Sequence, residues 1–240
     1  MNQEIRIIYQ DEDIIVVNKP AGTLVIPDQH TCESNTLVGM LKSQLKQKMW
    51  VIHRIDRDTT GVLMFAKNSQ SHRDLSVQFG NSKVHKEYIA LVSGVVKEDE
   101  GTINKPIFIS GRKVCIDKRG TGKKSITNFK TLERFKSYTL VQVQLLTGRR
   151  HQIRVHFLSL EHPLAIDGEY GVSEPIILSK IKRNYKIKKG EFEEPLISRL
   201  TLHAASLTLI LPGSGQEKTF EAPLPKDFEV TLKQLRKYGK

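Results

Sequence analysis

His53-Arg54-Ile55-Asp56-Arg57-Asp58-Thr59-Thr60-Gly61 is a short charged stretch set between two apolar runs, Trp50-Val51-Ile52 and Val62-Leu63-Met64-Phe65-Ala66. The second run follows a glycine and has the length of a strand, so the charged residues read as a loop that feeds a strand. Asp56 stands between Arg54 and Arg57, and neighbouring cations favour the ionised form of a carboxylate. An ionised carboxylate held on a loop is what covalent or electrostatic catalysis at a sugar carbon requires. The same residues also read as a solvated turn with ion pairs, because charged clusters mark sites only statistically.

Outward from this loop the chain mixes both periodicities. Residues 4–17 read as strand, turn, strand, with β-branched Ile5, Ile7-Ile8 and Ile14-Ile15-Val16-Val17 around Asp11-Glu12-Asp13. Asn18-Lys19-Pro20-Ala21-Gly22 ends the second strand with turn chemistry. Residues 35–48 carry Leu37, Met40-Leu41 and Leu45 at helical spacing, after Ser34-Asn35 as caps. A second helix follows the strand at 62–66, with Ser69 as N-cap, Leu75 and Phe79 on one face and Gly80 past its end.

Tyr88–Val92 reads as a buried strand, residues 95–128 as several turns, Tyr138–Leu146 as an alternating strand, and Leu200–Leu211 as another strand. A helix is expected after Thr147-Gly148, with Ile153, Phe157 and Leu160 on one face. The C-terminal helix at 227–237 carries Phe228, Leu232 and Leu235, and the Lys- and Glu-rich residues 172–195 form an excursion. This order predicts a single α+β domain over 1–240, with a central, mostly antiparallel sheet flanked by helices and loops.

The chain has 240 residues, of which 38% are hydrophobic, enough for a core and against disorder. Its net charge is +12, an electrostatic footprint for nucleic acid or another polyanion, or simply a basic surface. Cys32 and Cys115 are far apart and form no C-x-x-C, which argues against a disulfide framework or zinc site and fits a reducing cytoplasm. Met1–Arg6 lacks the apolar core of a signal peptide, and no apolar run reaches the roughly 20 residues of a membrane span.

A second constellation, Thr147-Gly148-Arg149-Arg150-His151-Gln152-Ile153-Arg154-Val155-His156, sits at a strand-to-helix switch. A helix N-terminus with arginines nearby attracts anions, and Arg149 at the turn has the reach to hold a carboxylate bidentately, Asp56 being the natural partner. Arg150 and Arg154, at i and i+4, alternatively form an exposed basic stripe. His151, His156 and His162 are close in sequence, but the first pair is at i, i+5 and H-E-x-x-H is absent, so no metal site is expected. A third feature is Lys86-Glu87-Tyr88-Ile89-Ala90-Leu91-Val92-Ser93-Gly94, whose tyrosine serves either strand packing or stacking on a base. Lys118-Arg119-Gly120-Thr121-Gly122-Lys123-Lys124 reads as a mobile loop of a surface hairpin, with phosphate contact a second reading.

Together these segments resemble the pseudouridine synthases of the ribosomal large-subunit (RluA) type, over nearly the whole chain. The family motif H-R-L-D-R-x-T-S-G-L stands here as His53–Val62 with conservative departures. K-x-Y-x-A-x-V-x-G is complete from Lys86 to Gly94, and T-G-R-x-H-Q-I-R-V-H from Thr147 to His156. His162-Pro163-Leu164 and Asp167-Gly168-Glu169-Tyr170-Gly171 also match.

The resemblance implies the pseudouridine synthase catalytic fold and the isomerisation of uridine within ribosomal or transfer RNA. By the motif match Asp56 is the catalytic carboxylate, and three routes stay open to it: attack on the sugar carbon, addition to the base, or removal of a sugar proton. Tyr88 matches the tyrosine that stacks on the base, Arg149 the arginine that pairs with the aspartate, and Arg54 the one that fills the space of the flipped nucleotide. Arg57, Arg150, His151, Gln152 and Arg154 complete the expected RNA-binding set. No metal, nucleotide or flavin is implied; a monomer is the default, and no membrane association is expected. The chain begins directly with catalytic-domain strands, so an N-terminal RNA-binding module of the S4 type is not expected, and RNA selection falls to the domain's own surface, including Lys118–Lys124 and Lys180–Lys189. Two other readings compete: a catalytically silent RNA-binding or ribosome-assembly protein on the same fold, and a glycosidase or nucleosidase using Asp56. Retention of the aspartate, tyrosine and arginine argues against the first, and the lack of a second carboxylate in a matching motif argues against the second.

Overall fold

The apolar run that follows the charged loop is buried over its whole length, and the surrounding architecture follows from that. The computed structural model describes residues 5–111, 113–185 and 190–240. In chain order they form β1 (Arg6–Gln10), β2 (Ile14–Lys19), α1 (Leu37–Leu45), β3 (Trp50–Val51), β4 (Thr60–Ala66), α2 (Ser69–Gly80), β5 (His85–Ser93) and β6 (Glu100–Asn104). There follow β7 (Ile107–Ser110), β8 (Lys113–Ile116), β9 (Ile126–Arg134), β10 (Tyr138–Leu145), α3 (Gln152–Leu158), α4 (Leu178–Ile181), β11 (Leu202–Ile210), β12 (Glu217–Glu221) and α5 (Lys226–Tyr238). The fold is α+β. The pairings β1–β2, β2–β4, β3–β4, β6–β9, β9–β10, β11–β12 and β7–β8 are antiparallel, and β4–β11 is parallel.

The chain forms two compact units, Met1–Tyr88 with His203–Pro223, and Ile89–Leu202 with Leu224–Lys240. In the first, β4 lies between β2 and β11. Side chains of a strand alternate between its faces. Val62, Met64 and Ala66 therefore join Ile14 and Val16 in a core closed by Leu75 of α2 and Phe220 of β12. Leu63 and Phe65 join Ile15 and Val17 in a second core closed by Leu37, Val38 and Leu41 of α1. A strand with apolar cover on both faces reads as an unbroken hydrophobic run, which is why β4 shows no polar alternation.

In the second unit the strand order is β5-β10-β9-β6, with β7 and β8 as a separate hairpin. Phe228, Leu232 and Leu235, at i, i+4 and i+7 on α5, pack on Leu91, Leu140 and Ile166. The apolar stripe expected for the C-terminal helix is the stripe it buries.

Several boundaries differ from expectation for local chemical reasons. Ser34-Asn35 form a 3₁₀ turn, and the cap of α1 is Thr36, whose Oγ1 accepts from Gly39 N at 3.3 Å. Asn68, not Ser69, caps α2, its Oδ1 accepting from Ser71 N at 2.8 Å, while Gly80 lies inside the helix. Both caps are one residue from the expected position and place a side-chain oxygen on an otherwise unpaired helical N–H. Residues 95–128 hold three short strands, β6 to β8, rather than turns alone, and β12 carries no clear signal in the sequence. Of the proposed surface segment Lys180–Lys189, residues Lys186, Lys188 and Lys189 lie outside the described residues. No helix among the described residues is long and apolar enough to cross a membrane.

Gly61 stands where β4 meets β11 in parallel register, opposite Ala204. Its φ is +112°, and a Cβ added there would lie 2.1 Å from the Ala204 carbonyl oxygen. Backbone occupies that space, so a side chain cannot be relieved by a rotamer change. Gly61→Ala is expected to cost about 3 kcal/mol or more, from strain and overpacking combined. The check is a lowered urea midpoint; a midpoint within experimental error of the wild type would refute this tight approach.

Candidate functional site

The charged loop is held from several sides within the first unit. At the end of β2, Lys19 is 0% exposed. Its ammonium donates to the carbonyl oxygens of Pro20 at 2.8 Å, Arg57 at 2.6 Å and Thr59 at 2.9 Å. An ammonium has three protons to place, and a buried cation is tolerated only when they are well placed. Arg57 reaches back with Nε to the Gly22 carbonyl at 3.1 Å, and Thr59 N donates to Asp56 O at 3.2 Å, closing a turn that starts at Asp56.

Downstream, Thr60 Oγ1 and His203 Nδ1 are 2.8 Å apart, and His203 Nε2 lies 3.1 Å from the Ala222 carbonyl. A carbonyl only accepts, so Nε2 carries the proton; in the neutral ring Nδ1 then accepts from the Thr60 hydroxyl. Upstream, the His53 ring stacks on Phe79 with centroids 4.6 Å apart, and its Nε2 accepts from Met64 N at 3.2 Å. Burial, with Lys86 adding like-charge repulsion, pushes the His53 pKa down to about 3. The loop is thus pinned at both ends and in its middle, with Asp56 half-buried and Arg54 and Arg57 exposed.

Tyr88, on β5 of the same unit, is 9% exposed. Its phenol is held above the ordinary tyrosine range, first by burial and then by the negative charge of Asp56. The two groups therefore sense each other electrostatically. At neutral pH the hydroxyl keeps its proton.

The arginine-rich constellation belongs to the second unit. Gln152, the first residue of α3, is 2% exposed. Its Oε1 accepts from Thr147 Oγ1 at 2.9 Å and Arg149 N at 3.0 Å, and its Nε2 donates to Ile126 O at 3.0 Å and Thr127 Oγ1 at 2.9 Å. All four valences of the amide are used to shape the turn that presents Arg149. Arg149 itself is exposed, with Nε donating to Lys124 O at 3.3 Å. Arg150 donates from Nη1 to Gly111 O at 3.2 Å. His151 adopts the left-handed conformation at φ 53°, with Nδ1 2.8 Å from the Tyr170 hydroxyl.

Two members of the expected RNA-contacting set are engaged within the protein. Gln152 has no hydrogen-bonding group left for a phosphate. Arg154 is 8% exposed and makes a bidentate pair with Asp167, 2.7 Å at both contacts, while its guanidinium lies over the Tyr170 ring. Arg154 is therefore not part of an exposed stripe with Arg150. The nearby histidines are also engaged separately: His156 with Thr127 Oγ1 and Lys105 O, His162 with Ser93 O.

In the sequence Lys19 reads only as turn chemistry. The available signal is its place directly after the unbroken run Ile14-Ile15-Val16-Val17, which marks a strand buried on both faces and hence a lysine entering the interior.

The chain is similar to known proteins over most of its length. A family model described as RNA pseudouridylate synthase matches residues 13–159. The uncharacterized RNA pseudouridine synthase YlyB of Bacillus subtilis is 37% identical over 98% of this chain and 74% of its own length. Ribosomal large subunit pseudouridine synthase D of Buchnera aphidicola is 35% identical over 95% of this chain and 73% of its own length. Among solved structures, human RNA pseudouridylate synthase domain containing 4 superposes with a TM-score of 0.72 at 26% identity, covering 96% of this chain and 93% of that one.

Replacing Lys19 by Met leaves carbonyl oxygens buried without their donor. Lys19→Met is expected to lower stability by at least about 2 kcal/mol; an unchanged thermal midpoint would refute the anchoring role. His53 gives a pH signature. Its folded pKa lies below its unfolded value, so the unfolded chain binds the extra proton between about pH 6.5 and 3, and stability falls as the pH drops through that window. His53→Gln is expected to show a shallower fall in thermal stability across it; an identical slope would remove His53 as a cause.

Proposed function

The chain belongs to the RNA pseudouridine synthases of the RluA type, isomerases acting on uridine in RNA, and from that premise we propose that Asp56 is its catalytic carboxylate, acting with Tyr88 and Arg149. The observation that carries this reading is the loop itself, on which one carboxylate is half-buried at a turn whose backbone is fixed by Lys19, Arg57, Thr60 and His203. A reacting group carried on a fixed backbone needs less reorganisation at the moment of reaction.

Isomerisation breaks the bond from the sugar to N1 of the base, turns the base and rejoins the sugar to carbon 5. A carboxylate beside the sugar carbon lowers the energy of a developing glycosyl cation, as in glycoside hydrolysis. Tyr88 supplies a ring on which the base rests while it is detached. Carbon 5 must lose a proton and N1, freed from the sugar, must gain one; because its hydroxyl is protonated at neutral pH, Tyr88 takes up the carbon-5 proton only as it passes its own on toward N1. Arg149 takes the place of the arginine that the motif match assigns to orienting the carboxylate. Water must be excluded for the base to return rather than leave. The target uridine must leave its stack to expose the glycosidic bond, at a cost of a few kcal/mol, and Arg54 fills the vacated space.

Ribosomal RNA is the proposed substrate class, supported by the names of several relatives. Arg54, Arg57, Arg150 and His151 are the proposed RNA contacts, in keeping with a net charge of +12. Residues 1–240 act as one catalytic domain in this reading, as a monomer in a reducing, cytoplasmic setting.

The test is tritium release from ribosomal and transfer RNA labelled at uridine carbon 5, taken from cells lacking the gene. Wild type is expected to release tritium from the ribosomal fraction and to leave pseudouridine in the product. Asp56→Ala is expected to lose at least about 10³-fold in rate, and Tyr88→Phe to release far less while still binding RNA. Release by Asp56→Ala at the wild-type rate would contradict the assignment. Free uracil instead of pseudouridine would favour a nucleosidase.

A further inference from the structure

Residues 117–124 are not the loose segment their lysines and glycines suggest. Asp117 follows β8 directly, and its carboxylate accepts from the backbone N–H of Arg119 at 2.9 Å and of Gly122 at 2.7 Å. The amides of Thr121 and Gly120 add to these, and together they hold the carboxyl below the usual carboxylate range. A Cβ on Gly122 would lie 2.5 Å from Asp117 Cβ, so only glycine permits the chain to wrap this closely. The ends of the loop are stitched as well. Asp117 N donates to Pro106 O at 2.8 Å, and Lys123 and Ile107 exchange backbone bonds at 2.8 and 2.9 Å.

The result is a collar of backbone around one carboxylate, with Lys118, Arg119, Lys123 and Lys124 exposed on it. The loop is also tied to the arginine turn: Lys124 O accepts from Arg149 Nε at 3.3 Å. At the hairpin tip, Gly111 O accepts from Arg150 at 3.2 Å. A free lysine-glycine loop would lose conformational entropy on binding a strand, whereas a pre-shaped one avoids that cost.

We propose that loop 117–124 is a phosphate-docking surface for the RNA strand beside Arg149, and that Asp117 is its positioning residue. The inference rests on the RNA-substrate reading above. Asp117 acts through the backbone it gathers, so removing its acceptor oxygens weakens RNA binding, the reverse of what net charge alone dictates.

The experiment is a titration of fluorescently labelled fragments of large-subunit ribosomal RNA at several salt concentrations. The wild-type chain is compared with Asp117→Ala, Asp117→Asn and the combined Lys118→Gln, Arg119→Gln, Lys123→Gln, Lys124→Gln variant. The combined variant is expected to flatten the salt dependence by about 0.7–0.9 in log–log slope for each phosphate it no longer neutralises. Asp117→Ala is expected to bind about fivefold more weakly and with a shallower slope, although it is more positive. Asp117→Asn, which keeps one acceptor oxygen but sets an NH2 against the second amide, is expected to recover only part of the affinity. Asp117→Ala binding as tightly as wild type or tighter, or an unchanged slope in the combined variant, would overturn the proposal. Pseudouridine formation by the wild-type chain is scored on the same RNA. Failure of the functional reading shows there as absent product, and failure of this inference shows as unaltered binding by the variants.

Discussion

The ammonium of Lys19 is the group on which the candidate site most depends. It is fully buried and binds carbonyls from both its own strand end and the charged loop. Taking a cation out of water costs several kcal/mol unless its protons are satisfied. That cost makes the arrangement nearly all-or-none: the loop adopts the one shape that feeds the ammonium, or the lysine leaves the interior. Arg57 and Thr59, whose carbonyls are bound, flank Asp58 just beyond Asp56, so the backbone next to the carboxylate has little freedom.

The strands around this ammonium make its burial possible. β4 carries a core on each face, and its first residues are locked by Gly61 lying against Ala204 and by Thr60 bonded to His203. The loop therefore ends on the most constrained strand of the first unit. In the second unit Gln152 plays a comparable part, spending its whole amide on the turn before α3. Polar side chains anchor the backbone beside a charged one in each unit: Thr60 with His203 at the end of the Asp56 loop, and Gln152 at the backbone of Arg149.

Much of this is legible in sequence where periodicity or a long motif carries it. The alternation of Tyr138–Leu146, which forms β10 up to Leu145, the i, i+4, i+7 stripe of Phe228, Leu232 and Leu235, and the apolar run of β4 each map onto the element they form. The motifs around Asp56, Tyr88 and Arg149 point to the family. What sequence hides is depth. Lys19 and Arg154 look like surface cations, and only the fold reveals the carbonyls around one and Asp167 against the other. Gln152 looks like an RNA contact because it stands among arginines. The short strands β6, β7, β8 and β12 have too few residues to show a period, and the order of loop 117–124 depends on amides folding back on Asp117, which no spacing rule captures. The caps at Thr36 and Asn68 each fall one residue from the expected place, since several neighbouring residues there are competent to cap.

The most direct measurement is a map of pseudouridine in ribosomal RNA from cells lacking the gene, with either the wild-type chain or Asp56→Asn expressed in its place. Asparagine keeps the size and reach of the side chain, removes its charge and replaces one acceptor oxygen by an NH2 donor. Restoration of pseudouridine at defined uridines by the wild type, and at none of them by Asp56→Asn, is the expected result. Equal restoration by both would contradict the central claim, that a carboxylate fixed on the loop held by Lys19 performs the reaction.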